Sequence, residues 1–438
     1  MNKKFAQFLL LIIVFTIATA RLDPTRPGPG PISPDGAPNT TRPRLRENPA
    51  QFPGRIPIPS PRLLLAGILS SAAAAVSSAG GIGGGGLFVP ILATVAGLDL
   101  KSAAAYSAFM VTGGSIAAVG RQLRGSRPMI DYEIALLAEP CMLLGVSGGV
   151  VCNVVFPEWL ITAIFAVFLA FCTFRTCGSG FVFWKLESER VGPCGSTEKP
   201  LLDGGEVEGK MGIPWVKLGM LVLIWLSFFV LYLLRGNRYG QGIIQIETCG
   251  TGYWIISSAQ IPLAIFFTIW MLHSRIRTKV ITSETYRQVN VDEPAHCRSP
   301  VFPLMALLAG ILGGIFGIGG GMLISPLLLQ MGIEPEVTAS TCSFMVLFSS
   351  SMSATQYLLL GMEDISGPLA FAAICFVASW AGLTLVQRAI LRHGRASLIV
   401  FSVGTVMALS TIFMTGFGAV DVWRDYMSGK SMGFKKPC

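Results

Sequence analysis

Residues 80–111 read GGIGGGGLFVPILATVAGLDLKSAAAYSAFMV, and residues 316–346 read FGIGGGMLISPLLLQMGIEPEVTASTCSFMV. Aligned, Gly81-Ile82-Gly83-Gly84-Gly85 falls on Gly317-Ile318-Gly319-Gly320-Gly321, and Pro90 falls on Pro326. After one gap, Phe109-Met110-Val111 falls on Phe344-Met345-Val346. Glycine richness by itself produces neither the shared proline nor the shared F-M-V, so the two stretches are copies of one unit. Glycine releases the backbone from the helical region, and proline removes a backbone donor. Each copy therefore reads as a helix broken or made re-entrant at a glycine cluster.

Outward from these stretches the chain is apolar. Of 438 residues, 52% are hydrophobic and 13% charged, against about 25% charged in an ordinary soluble domain. That balance excludes a soluble enzyme, a disordered chain and a nucleic-acid reader. The net charge of +9 reports membrane topology rather than a nucleic-acid partner. A bilayer span takes roughly 20 apolar residues. Segments of that character lie near 62–80, 83–98, 103–120, 134–155, 160–184, 216–234, 253–272, 301–317, 320–332, 337–358, 366–388 and 397–417. The second and ninth are short and open on glycines, as half-spans do. The expected fold is all-α: a polytopic transmembrane bundle with two inverted repeats, 62–184 and 301–417. Residues 185–300 between them carry polar loops and two further spans, and 418–438 form a C-terminal tail.

Inversion follows from counting. If the chain starts outside, five segments bring it inside at Lys185, and two more leave it inside at 273–300. The second repeat then enters the bilayer from the opposite side, an arrangement of secondary transporters. Arg121, Arg124, Arg127, Arg275, Arg277, Lys279, Arg388, Arg392 and Arg395 all fall inside, as the positive-inside rule asks. Lys430, Lys435 and Lys436 of the tail fall outside, against it.

The chain opens on MNKKFAQFLLLIIVFTIATA, residues 1–20. A basic start, a short apolar core and a closing Ala18-Thr19-Ala20 read as a signal peptide. Residues 21–61 hold about a dozen prolines, which preclude a helix or a packed core and indicate a disordered arm outside the cell or in a lumen. Asn39-Thr40-Thr41 in that arm is a glycosylation sequon. Together these readings place a multi-pass protein in the secretory pathway: endoplasmic reticulum, Golgi, vacuole or plasma membrane.

The chemistry is expected at the breaks. Backbone at membrane depth leaves its helix only where protein buries it or water lines it, and freed amides at a half-helix N-terminus make a cradle for an anion. Gly83, Gly84, Gly85, Gly319, Gly320 and Gly321 are the candidate donors. Ser107, Thr341 and Ser343 are candidate hydroxyl donors nearby, because a hydroxyl serves an oxyanion without burying a charge. The bland reading of each is a bond to its own helix or close packing. Glu139, in LLAEPCMLL, is an ionisable group inside a span and a candidate for proton coupling. Gly81 to Gly86 also satisfy G-x-G-x-x-G, but no strand precedes them and Asp99 lies too near, so no dinucleotide site is expected. No H-E-x-x-H, Walker loop or C-x-x-C is present, and the histidines are His273, His296 and His393. Neither an enzyme, a metal site nor a cofactor is expected.

The phrases GGIGGGGLFVPIL, LLAEPCMLLGVSGGVVCNVVFPEWL, GTGYWIISSAQIP and GRASLIVFSVGTVMALSTIFMTGFGAVDVWRDYMSGKSMGF, with the second glycine stretch, resemble the TauE/SafE family of sulfite exporters, its plant branch in particular. The resemblance runs from about residue 60 to the end. It implies a permease for small anions such as sulfite or organosulfonates, with the lipid bilayer and the anion as partners. The competing reading is an endomembrane receptor or scaffold that acts through its polar loops without transport.

Overall fold

A computed structural model describes residues 61–81, 85–124, 130–190, 215–235, 250–285, 301–360, 362, 365–393, 397–427 and 433. The expected signal peptide, the proline-rich stretch with Asn39, and Gly83 and Gly84 lie outside the described residues. The helices are α1 (Pro61–Ser77), α2 (Gly85–Thr94), α3 (Leu100–Gln122), α4 (Tyr132–Val155), α5 (Glu158–Arg190), α6 (Trp215–Arg235), α7 (Thr251–Thr285), α8 (Val301–Phe316), α9 (Gly321–Gln330), α10 (Pro335–Leu359), α11 (Ser366–His393) and α12 (Ser397–Met427). They coincide with the apolar segments of the sequence, and no strand occurs among the described residues. Seven are long and apolar enough to cross a membrane, while α1, α2, α8 and α9 are shorter apolar helices.

Polarity punctuates the helices. Asp99 caps α3 by accepting from the Ser102 amide, and Asp131 caps α4 by accepting from Glu133 and Ile134. Pro335 opens α10 in the first turn, where its missing N–H costs nothing. The bundle is inside-out relative to a soluble one. α3 and α10, rich in Ala, Ser and Thr, are buried almost throughout. Large apolar side chains face outward on α5 (Phe174, Phe181), α7 (Phe266, Ile269) and α11 (Val377, Leu385). Lipid is the solvent for such a surface, so the interior gains little from apolar burial and depends instead on close backbone packing.

Small residues supply that packing. A methyl group on Gly145 would lie 2.2 Å from the Leu307 carbonyl oxygen, and one on Gly149 would lie 2.1 Å from that of Ile311, so α4 and α8 touch backbone to backbone. α1 and α11 meet in the same manner: a methyl on Gly382 would lie 2.0 Å from the Ala75 oxygen, and Ser78 donates to Ser379 across 2.6 Å.

Counting helices from the start of each copy, α1 to α5 correspond to α8 to α12, and the helix pairs correspond too. α4 packs on α8 as α11 packs on α1, α3 on α11 as α10 on α4, and α2 on α12 as α9 on α5. α5 and α12 run antiparallel: Thr162 is level with Gly418, Thr173 with Thr411, and Phe181 with Phe401. α6 and α7 pack on each other and on the outer side of α4.

Candidate functional site

The second break lies where α8 ends. Gly317, Gly319 and Gly320 have φ of 65°, 71° and 71°, the left-handed region that an L side chain enters only at a cost. The Ile318 amide folds back onto the Gly313 carbonyl, as at many helix ends. A helix end leaves its last carbonyls unpaired, and here side chains from three other helices take them up. Tyr357 of α10 donates to Gly314 O over 2.8 Å, and Asn153 of α4 donates to Ile315 O over 2.6 Å. Ser107 of α3 donates to Gly317 O over 3.0 Å, and Ser349 of α10 donates to Gly319 O over 2.7 Å.

The other side of the break is different. Gly320 is the N-cap of α9 and makes no side-chain capping bond. Gly320, Gly321 and Met322 are buried. The first amides of α9 therefore sit in the protein interior without a side-chain cap, at the positive end of a helix dipole, and that of Leu323 turns back to Gly320 O over 3.3 Å. At this break side chains bond four carbonyls, and no side chain among the described residues caps α9.

The two breaks meet. A methyl on Gly85, the first residue of α2, would lie 2.7 Å from Ile318 Cα, and one on Gly86 would lie 1.8 Å from Met322 Cε. Gly81, with φ of 75°, packs on α10, where a methyl would lie 2.2 Å from Ala339 O. Gly317 packs on α3, where a methyl would lie 1.9 Å from Ala104 O. Ala104 and Ala339 are corresponding residues of the two copies, so these contacts are counterparts.

The other expected donors are placed as follows. Thr341 accepts from the Asp131 amide over 2.9 Å, at the start of α4. Ser343 donates to Ala339 O of its own helix. Ser107 is the expected hydroxyl that bonds a break directly. Glu139 is fully buried in α4, and neither carboxyl oxygen has a hydrogen-bond partner among the described residues. Two residues at the break went unmarked in the sequence. Met142 brings its sulfur to 3.4 Å from a methyl placed on Gly320, and Asn153 bonds Ile315 O. Asn153 stood out only as one amide in an apolar run. Met142 carried no signal at all, since a Met in a span is ordinary.

A lipid-facing all-helical bundle, wrapped around two touching helix breaks, defines a multi-pass membrane protein. A sequence profile described as "Sulfite exporter TauE/SafE" matches residues 5–176, 63–236 and 251–414. Sulfite exporter TauE/SafE family protein 2 of Arabidopsis thaliana is 54% identical over 401 residues, 86% of this chain and 87% of that protein. Family protein 5 of the same plant is 53% identical over 86% of this chain and 88% of its own length, and family protein 3 is 31% identical over 81% and 78%. The chain belongs to the sulfite exporter TauE/SafE family. No solved structure matches it.

Proposed function

We propose that the protein is a secondary transporter of small anions, sulfite or an organosulfonate-like ion, in a membrane of the secretory pathway. The observation that carries this reading is the second break, where side chains take up carbonyls and none caps the start of α9. Unpaired amides at membrane depth cost several kcal/mol each, and an oxyanion is the partner that removes that cost while matching the helix dipole. Gly319 to Gly321 on one side and Gly83 to Gly85 on the other would supply the amides, with Ser107, Thr341 and Ser343 as the surrounding hydroxyls. A compact anion with several oxygens suits such a cradle, because each copy would offer amides to it. The names of the relatives point to sulfite as the first anion to try.

The mechanism would be alternating access between two repeats that enter the bilayer from opposite sides. Corresponding helices make corresponding contacts, so the pair can rock about the central breaks and open first one side and then the other.

The test is flux of sulfite, sulfate and taurine in proteoliposomes, with Gly320→Asp compared with Gly320→Asn. Both tolerate the left-handed backbone better than other residues and make the same steric demand. Aspartate brings its own anion to the uncapped amides. The expected result is lower flux in Gly320→Asp than in Gly320→Asn at equal folded amounts. Equal flux in the two variants would remove the amide cradle from the mechanism.

A further inference from the structure

Glu139 supplies what the break lacks. The residues of α4 that meet α8 are Met142, Gly145, Gly149 and Asn153. Those that meet α10 are Asp131, Tyr132 and Ser147, through Thr341, Phe344 and Gln356 respectively. At 3.6 residues per turn, Glu139 falls on the face between these two sets, in the wedge between α8 and α10. Its level is fixed by Met142, one turn further along α4, whose sulfur sits against Gly320. Both Glu139 oxygens are buried and unpartnered, and so are Ser353 Oγ and Gln356 Oε1 on the facing helix. Among the described residues, α4 and α10 thus bury more polar capacity than their hydrogen bonds satisfy.

The charged surroundings are sparse. α8 and α9 carry no titratable side chain. α10 offers Glu336 in its first turn, Cys342, and Tyr357, whose hydroxyl is committed to Gly314 O. On α6, Lys217 pairs with Glu133 over 3.0 Å, Tyr232 lies by Ser147 O, and Arg235 stacks on Tyr253 of α7. α7 adds Tyr253 and an exposed His273. On α4 itself, Asp131 is a helix cap, Tyr132 lies against Phe344, Cys141 contacts Thr268 and Cys152 is half-buried. Among the described residues no cation pairs with Glu139.

We propose that Glu139 is the proton-binding group of the anion site, so that an anion and a proton load together. The proposal rests on the transport reading above. A carboxylate and an anion at neighbouring positions in a low-dielectric interior repel each other, and one of them must be neutralised. Here a proton from water on the loading side binds a Glu139 oxygen, forming one O–H bond, and the anion then occupies the amides. On the far side the anion leaves and the proton returns to water. The movement is cotransport, with both species crossing in the same direction.

Binding of sulfate and of methanesulfonate, which keep their charge across neutral pH, tests this in the purified full-length protein. Proton uptake on binding is read by calorimetry in buffers of different ionisation enthalpy. The parent is expected to take up close to one proton per anion, and its affinity to fall by up to about tenfold per unit of rising pH. Glu139→Gln, a neutral carboxyl mimic, is expected to bind without proton uptake, at the parent's acid-pH affinity whatever the pH. Parent binding without proton uptake overturns the proposal and leaves the transport reading standing. So does proton uptake retained in Glu139→Gln, or loss of binding in a Glu139→Gln protein that keeps the parent's helicity and melting temperature. A parent that neither binds nor moves these anions or sulfite overturns the transport reading, and this proposal with it.

Discussion

Gly317 and Ala104 lie backbone to backbone: a methyl group on Gly317 would sit 1.9 Å from the Ala104 carbonyl oxygen. The counterpart contact joins Gly81 to Ala339. Each break is therefore pressed against the central hydroxyl-bearing helix of the opposite copy, so the two halves of the chain are held together through their least regular parts.

This makes substitution at the two contacts far more damaging than at other glycines. Gly317→Ala and Gly81→Ala meet both a left-handed backbone and a carbonyl, and each is expected to cost more than about 3 kcal/mol. Gly332→Ala shares the positive φ but meets nothing within 4 Å, and should cost about 1–2 kcal/mol. Gly148→Ala, in open space within α4, should gain up to about 1 kcal/mol. Thermal melting in detergent ranks the four variants.

Ser107 and Ser349 hold the carbonyls of Gly317 and Gly319. Ser107→Ala and Ser349→Ala should each cost about 1–3 kcal/mol, the range for a buried acceptor left unpaired. Their effect on anion affinity should exceed that of Ser343→Ala, because Ser343 bonds only its own helix. A freed carbonyl at the break turns a negative dipole toward the anion. Equilibrium binding of sulfate to the three variants reads the difference.

If transport proceeds by rocking of the two repeats, α5 and α12 must move past one another. The Thr173 and Thr411 hydroxyls lie 3.3 Å apart where these helices cross. A Thr173→Cys, Thr411→Cys double variant should cross-link on oxidation, as read by mass spectrometry of the linked peptides. Flux should stop in the oxidised protein and return on reduction, while either single variant remains sensitive to neither treatment.

The proline-rich arm should carry a glycan at Asn39 when the protein is made in a secretory system. Endoglycosidase treatment should shift the mobility of the parent, and Asn39→Gln should run at the treated position without enzyme. That result places the arm outside or in a lumen and sets the orientation of all later helices.

Helix positions were legible in the sequence. Apolar runs, Asp caps at Asp99 and Asp131, and the glycine–proline pattern are local, and each acts on the residues beside it. The breaks at Gly81 and Gly317 were readable for the same reason, since positive φ is a property of the residue that adopts it. Ser107 was readable as a hydroxyl near a break, but nothing in the sequence distinguished it from Ser343.

Tertiary structure decided the rest. Whether a hydroxyl bonds its own helix or the opposite repeat depends on the register between helices whose residues are some two hundred positions apart, as Ser107 and Gly317 are. The same register brought Tyr357 and Asn153 onto the carbonyls at the end of α8 and left α9 without a side-chain cap. It also set Glu139 in the wedge between α8 and α10 rather than at an interface with water or lipid. Hydrophobic patterning carries no information about that register, because lipid is as apolar as the side chains it meets and only close backbone packing selects among the alternatives.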